Sequence, residues 1–501
     1  MGGSFAPSME KYAPQNPHVA AFSRICSLEV MPVTFLLTAT PILLLCVGLY
    51  YTFALRGFFL LHPIRSMRLL FGGRRAEGIS PFRALTVALA GTLGVGNIVG
   101  VASALYMGGA GAVFWMLVSA LLAMVLKYAE ITLALRHRRL LPDGSFTGGA
   151  PYYVEDGLKD RGLPRLGRLL AGVFALLCLV NAVTMGSLLQ VNAAAGAMEA
   201  GFSVPPLLTG GVVAVLAVVT VLGGAKRISS LTEKLVPFMT VGFLVVCMAV
   251  LLLRRERIPA ALTAIWEGAF SVNSAGAGVL GFLTASLTAS LTGRGIRFGV
   301  MRGLVSNEAG CGTAPMAHAA ADVDLPARQG LFGLVEVFVD TVLLCTVTAL
   351  CLLVSDSGPT AFGEDVTHTA QEAFSSVLGE WAGGFFAVSI LLFGVATVIC
   401  WAHYGMTCVQ YLFPKGRKKR ATEGVYVVIL AASLAVGAVT APTLAWTVAD
   451  AAISVMTLLN LGVLILLRGE VKDETKALLS VVPPRRSCIF CKEKHPERSQ
   501  P

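Results

Sequence analysis

Charge is scarce in this chain. Only 14% of its 501 residues are Asp, Glu, Lys or Arg, against about 25% in soluble domains. With 55% hydrophobic residues, it reads as a polytopic membrane protein, and counting soluble domains from length does not apply. Acids are scarcer than bases, 29 against 39, so the net charge is +10. That excess does not point to nucleic acid, because Lys and Arg cluster in short loops between apolar runs, as membrane topology determinants do. HExxH and GxSxG motifs are lacking in any suitable setting, which argues against a membrane-embedded enzyme. The tail holds one CxxC, Cys488-Ile-Phe-Cys491 with His495, and lacks the second pair that a zinc site of this type needs. Other cysteines (Cys178, Cys247, Cys345, Cys351, Cys400) sit in apolar runs, as small buried hydrophobes do. Residues 1–30 lack a basic start followed by a short apolar core and a cleavage site. With Pro7, Pro14 and Pro17, they read as an extracytoplasmic leader.

Long apolar runs are what the chain has. A membrane helix needs about 20 mainly apolar residues. That rule predicts eleven spans, near 31–55, 82–107, 111–135, 168–198, 206–223, 230–253, 262–291, 328–354, 383–412, 424–440 and 445–467. Basic loops follow spans one, three, five, seven and nine, represented by Arg65, Arg138, Lys226, Arg297 and Lys418. The stretch 355–382 has no Lys or Arg and five acids, Asp356 among them. Positive charge marks the cytoplasmic side, which puts the N-terminus outside and the C-terminus inside. Arg254, Arg255 and Arg257, after the sixth span, are the exception.

Two of these spans are interrupted. Residues 91–103 read Gly-Thr-Leu-Gly-Val-Gly-Asn-Ile-Val-Gly-Val-Ala-Ser, and 274–281 read Ser-Ala-Gly-Ala-Gly-Val-Leu-Gly. In hydrocarbon every backbone polar group needs a partner, so a helix unwinds there only where it lines a polar cavity. Such breaks in corresponding positions of two halves point to a transporter site, whereas a channel would want rings of repeated residues. The breaks open two five-span halves. Five is odd, so the halves run in opposite senses. The expected fold is all-α, about eleven transmembrane helices: an extra N-terminal helix (31–56), a first repeat (82–253) and a second, inverted repeat (262–468). The second repeat includes a cytoplasmic loop (292–327), and a cytoplasmic tail (469–501) follows.

These residues match a known pattern. Gly91 to Ala102, Gly108 to Met116, Lys127-Tyr-Ala-Glu130, Gly148-Gly-Ala-Pro-Tyr-Tyr153, Arg302 to Gly310 and Ala314 to Ala321 together resemble the alanine/glycine:cation symporters of prokaryotes. The likeness covers roughly residues 35 to 470 and is specific because the motifs occur jointly. It implies a leucine-transporter-type fold in a prokaryotic cell membrane. It also implies carriage of a small neutral amino acid, alanine or glycine, driven by Na⁺, with H⁺ as the alternative. No cofactor is implied besides the coupling ion, and no partner besides substrate and bilayer.

The first break supplies backbone. Freed carbonyls suit a hard cation, and freed N–H groups suit a carboxylate. The expected substrate site is Thr92, Gly96, Asn97, Gly100, Gln190, Gly276, Gly278, Thr397 and Trp401, with Thr92, Gly94, Asn97 and Thr397 at the ion. Gln190, Thr397 and Trp401 enter because they match the family's site positions. Asn181, Thr184 and Asn192 share the span of Gln190. The sequence departs from the family at Leu188, Ala396, Ala402 and Met406, where Asn, Thr, Ser and Glu are usual. Intramembrane acids cost about 2.5–3.5 kcal/mol for Asp at a helix centre, so Glu336, Asp340 and Asp450 need reasons: buried networks or the coupling ion. Lys127 and Glu130, three apart, are placed to pair on one helix face. Glu308 and His318 are expected in a gate or loop scaffold.

Overall fold

The computed structural model describes residues 36, 39–71, 78–141, 144–270, 291–356, 366–414, 416–440 and 443–481. Within them the chain is almost wholly helical. We number α1 Ala39–Ala54, α2 Pro81–Thr92, α3 Val99–Gly108 and α4 Gly111–Arg136. Then come α5 Pro164–Phe202, α6 Pro206–Leu222, α7 Gly224–Leu253 and α8 Ile258–Ala269. The remainder are α9 Leu291–Asn307, α10 Pro326–Val354, α11 Val366–Leu378, α12 Trp381–Leu412, α13 Gly416–Gly437 and α14 Thr443–Val481. Seven helices among the described residues are long and apolar enough to cross a membrane. Proline starts several of them: Pro81, Pro164, Pro206 and Pro326 stand in the first turn, where the missing N–H has no helical partner to lose. A two-stranded hairpin, Arg139–Leu140 against Phe146–Thr147, is the sheet among the described residues.

α4 is the central post, buried along most of its length. α9 and α10 lie against it because glycines let the backbones close. A Cβ on Gly299 would fall 2.3 Å from Ala112 O, and one on Gly333 would fall 2.8 Å from Lys127 Cγ. In lipid, where apolar contact gives no solvent-driven gain, small residues at such crossings are the main source of close packing.

Three expectations change here. Residues 292–327 are not a loop throughout. α9 occupies 291–307, and the turn that follows is buried through Ala319. The span expected at 262–291 does not run continuously from its start, since α8 ends at Ala269; Gly276 and Gly278 lie outside the described residues. The span expected at 445–467 runs on as helix, because α14 continues to Val481. Its extension is docked: Glu470 takes Arg161 at 2.9 Å and Arg136 at 3.1 Å, and Glu474 takes Arg136 at 2.6 Å. Cys488, Cys491, His495 and the leader 1–30 are also outside the described residues. Of the basic exception, Arg254 and Arg257 both pair with Asp356, the latter at 2.7 Å.

Candidate functional site

α2 and α3 form one helix broken at the glycines. Between them Gly94 is extended (φ −114°, ψ −163°) and Val95–Asn97 make a single 3₁₀ turn. Distant side chains satisfy the opened backbone. Val95 N–H donates to Gln190 Oε1 at 3.1 Å instead of continuing the helical ladder. Thr397 Oγ donates to Ala90 O at 3.0 Å. Gly94 N–H donates to Asn97 Oδ1 at 3.0 Å, a local cap. Gln190 reaches the break from α5 just after a π turn, Thr184–Leu188. Such a turn adds a residue and re-aims the side chains that follow it, a device frequent at functional sites. The Gln190 amide N–H is held by Met185 O at 3.1 Å, so its carbonyl faces the break.

Around this turn lies a cavity of about 90 Å³. Thr92, Gly94, Gly96, Gln190, Thr397 and Trp401 all line it. Asn97 and Gly100 do not. The Asn97 amide turns the other way, donating to Asp340 Oδ1 at 2.7 Å and Ser306 Oγ at 3.1 Å. Of the four expected ion ligands, Thr92, Gly94 and Thr397 therefore stay together at the cavity and Asn97 is separated from it. The reason is local: its carbonyl is spent on capping Gly94, which swings its amide onto α10. Further lining comes from Met185, Leu189, Asn192, Val305, Thr367 and Trp446. Asn192 also donates to Gly437 O at 3.0 Å. Asn192 was legible as a polar residue beside Gln190; Thr367 and Trp446 come from distant segments, with no local signal to mark them.

The departures from the family pattern fall outside the cavity. Leu188 packs on α13, where a Cβ on Gly437 would lie 2.8 Å from its Cδ2. Ala402 O accepts the Tyr426 hydroxyl at 3.2 Å, and Met406 faces a separate space of about 540 Å³ near Gln410 and Glu423. Ala396 is buried but does not line the site.

Gly94 is sterically required. A Cβ there would stand 2.6 Å from Thr397 Oγ and 3.0 Å from Gln190 Oε1. Overpacking of this kind costs about 1–3 kcal/mol, and 1.4 kcal/mol is about tenfold in affinity. Gly94→Ala should therefore weaken a ligand held in this cavity by about tenfold or more at normal protein levels. Unchanged ligand affinity would show that the cavity is not used.

Glu130, Glu336 and Asp340 are buried and each has partners. Lys127 does not pair with Glu130, as its spacing suggested, but with Glu336 of α10 at 3.3 Å, both fully buried. Gly333 admits α10 close enough to present that carboxylate. Glu336 also meets His318 Nε2 at 3.0 Å. His318 Nδ1 faces the Gln329 amide nitrogen at 2.8 Å, and the same nitrogen donates to Pro81 O at 3.2 Å. The ring is thereby held on both nitrogens, between Glu336 and Gln329. Glu130 caps the buried turn, taking Gly312 N–H at 2.9 Å and Asn460 at 2.5 Å. Asp340 takes Asn97, Ser306 at 2.9 Å and Thr341 at 2.6 Å. Asp450 lies on α14 within electrostatic reach of Arg302.

A helical membrane protein whose core helix opens onto a small cavity with both polar and apolar lining has the build of a transporter. The chain belongs to the sodium:alanine symporter family, which it matches over residues 27–482. It is 37% identical over 446 residues to the sodium/alanine symporter AgcS of Methanococcus maripaludis, covering 87% of this chain and 93% of that one. It is 33% identical over 442 residues to the probable sodium/glutamine symporter GlnT of Bacillus subtilis, covering 87% of each. Among solved structures, MhsT in complex with L-phenylalanine aligns with TM-score 0.48 at 13% identity, covering 80% of this chain and 93% of that one. The protein is a multi-pass membrane transporter, not an enzyme.

Proposed function

We propose that this chain couples uptake of a small neutral amino acid, alanine or glycine, to Na⁺ entry by alternating access. The observation that carries the reading is the cavity of about 90 Å³ built on the unwound turn. It has room for a few water-sized groups, which suits a short side chain better than a long one. Backbone N–H groups of the break suit the substrate carboxylate, and the Gln190 carbonyl, which faces the break, suits the ammonium. The carbonyls of the break, with Thr92, Gly94 and Thr397, suit a hard monovalent cation. Trp401 closes one wall.

In this reading the halves 82–253 and 262–468 form the inverted repeats, and one rocks against the other around the site. The N-terminus lies outside a prokaryotic cell membrane, with the docked end of α14 and the tail inside. The energetics suffice. One Na⁺ crossing 100 mV releases about 2.3 kcal/mol, and a tenfold gradient adds about 1.4 kcal/mol. Their sum supports accumulation of roughly several hundred-fold.

H⁺ in place of Na⁺ is the second reading. Asp340 favours it: the carboxylate is buried, touches the broken helix through Asn97, and its hydrogen bonds come from the neutral groups of Asn97, Ser306 and Thr341. Uptake of labelled alanine into proteoliposomes under Na⁺, Li⁺ and H⁺ gradients, with a competing panel of amino acids, decides among these. Saturable accumulation that needs Na⁺ and is competed by glycine but not by glutamine is expected. Accumulation driven by H⁺ alone selects the second reading, and unsaturable flux would overturn both.

A further inference from the structure

Glu308 stands where glycine would stand more easily. Its φ is +52°, and it shares the left-handed region with only two other non-glycine residues among those described, Arg56 and Ser203. Those two are exposed at helix ends, whereas Glu308 is buried. Glycines at 310 and 312 show that this turn uses left-handed backbone repeatedly (φ +84° and +79°). A glutamate that keeps such a conformation while buried is strained, and strain of this kind persists where surrounding contacts over-determine it.

Those contacts are two hydrogen bonds, one to each carboxylate oxygen. Trp401 Nε1–H donates to Oε1 at 2.8 Å, and Thr313 Oγ donates to Oε2 at 2.5 Å. The first reaches the wall of the cavity; the second closes the turn that begins at Glu308 itself. Indole has one polar atom, so the bond to Glu308 fixes the direction in which the ring points. The other sides of the indole are enclosed. Gly186, in the π turn of α5, leaves no room for a Cβ, which would fall 2.3 Å from Trp401 Cβ, and Tyr404 meets the ring edge-on at 5.6 Å. Glu308 itself does not line the cavity.

We infer that Glu308 is a positioning residue for the transport site: as a double acceptor it holds the Trp401 indole as a cavity wall and ties it to the buried turn 308–313. Substrate affinity then depends on an acceptor at 308 even though the carboxylate never touches substrate. The same carboxylate makes the wall and the turn move as one unit. The inference rests on the cavity being the substrate site, so its test needs one arm independent of transport.

The experiment compares wild type, Glu308→Ala and Glu308→Gln in proteoliposomes. Gln keeps an acceptor oxygen for Trp401, and its amide N–H can donate to the Thr313 hydroxyl. Glu308→Ala should raise the KM for alanine at least about tenfold with a smaller change in maximal rate, and Glu308→Gln should return it to within about threefold of wild type; tenfold corresponds to 1.4 kcal/mol. The independent arm is Trp401 emission, taken as the difference between each protein and its Trp401→Phe counterpart, with acrylamide quenching and no substrate present. Glu308→Ala should shift that difference spectrum and increase quenching, and Glu308→Gln should restore both. In the Trp401→Phe background, which has no N–H to hold, Glu308→Ala should add no further increase in KM. Unchanged Trp401 emission in Glu308→Ala would overturn the positioning role. A Gln variant as impaired as Ala would overturn it too, since charge and not acceptor geometry would then matter. If wild type takes up no alanine, the proposed function fails while the emission arm still decides the role of Glu308. Should Glu308→Ala not insert, the Gln variant and Trp401→Phe carry the test, and a wild-type KM in Trp401→Phe would overturn the claim.

Discussion

Gln190→Leu should raise the KM for uptake by about ten- to a hundredfold while the protein inserts and folds normally. The side chain does one thing that nothing else nearby does: it accepts the Val95 N–H at 3.1 Å, at the point where the helix has let that group go. Leucine fills similar space, keeps water out and leaves the donor unpartnered. A buried donor left so costs about 1–3 kcal/mol, which is the stated range at 1.4 kcal/mol per tenfold. Gln190→Ala should be milder than Leu, because the space it opens admits a water that can take the N–H. Radiolabelled uptake with surface quantification of the protein checks both. Equal KM in wild type and the Leu variant would remove Gln190 from the site.

Lys127→Met should abolish most folded protein. Its ammonium and the Glu336 carboxylate are both fully buried and 3.3 Å apart. His318 Nε2 also meets the Glu336 carboxylate at 3.0 Å. Removing one member of a buried pair typically costs about 3–5 kcal/mol, because the other charge remains without compensation. The double variant Lys127→Met/Glu336→Gln should recover at least half of the loss, since glutamine can still hydrogen-bond His318 Nε2 without a charge to bury. Thermal unfolding in detergent, read by size-exclusion recovery, measures this. A single variant as stable as wild type would show that the pair is not structural. A double variant no better than the single would show that the cost lies in packing against Gly333.

These two residues mark how far the chain can be read without coordinates. Gln190 was named from a polar position in an apolar span and from the family likeness, and it does line the cavity. Lys127 reads as a charge that needs a partner, and its partner is Glu336, not Glu130. Spacing along one helix puts Glu130 within reach, but the competitor arrives from α10, some two hundred residues later, on a glycine contact that no local pattern displays. The surroundings of Asn97 are hidden in the same way. The break was legible as a cluster of glycines; that Asn97 would cap Gly94 and face Asp340 depends on where α9 and α10 lie. Residues 292–327 look like a loop because their charges and glycines lower the apolar signal. Those glycines instead let α9 close onto α4.

By itself the sequence determined the membrane setting, the helical class, the place of the first break and the family. Each follows from short-range rules: hydrocarbon demands self-satisfied backbone, and glycine, proline and charge act over a few residues. Tertiary structure alone decided who partners whom. It separated Asn97 from Thr92 and Thr397, gave Glu336 to Lys127 and joined Glu308 to Trp401. A buried polar group is satisfied by whatever donor or acceptor the packing brings within about 3 Å. That distance is set by how whole helices cross, which periodicity along one segment does not encode.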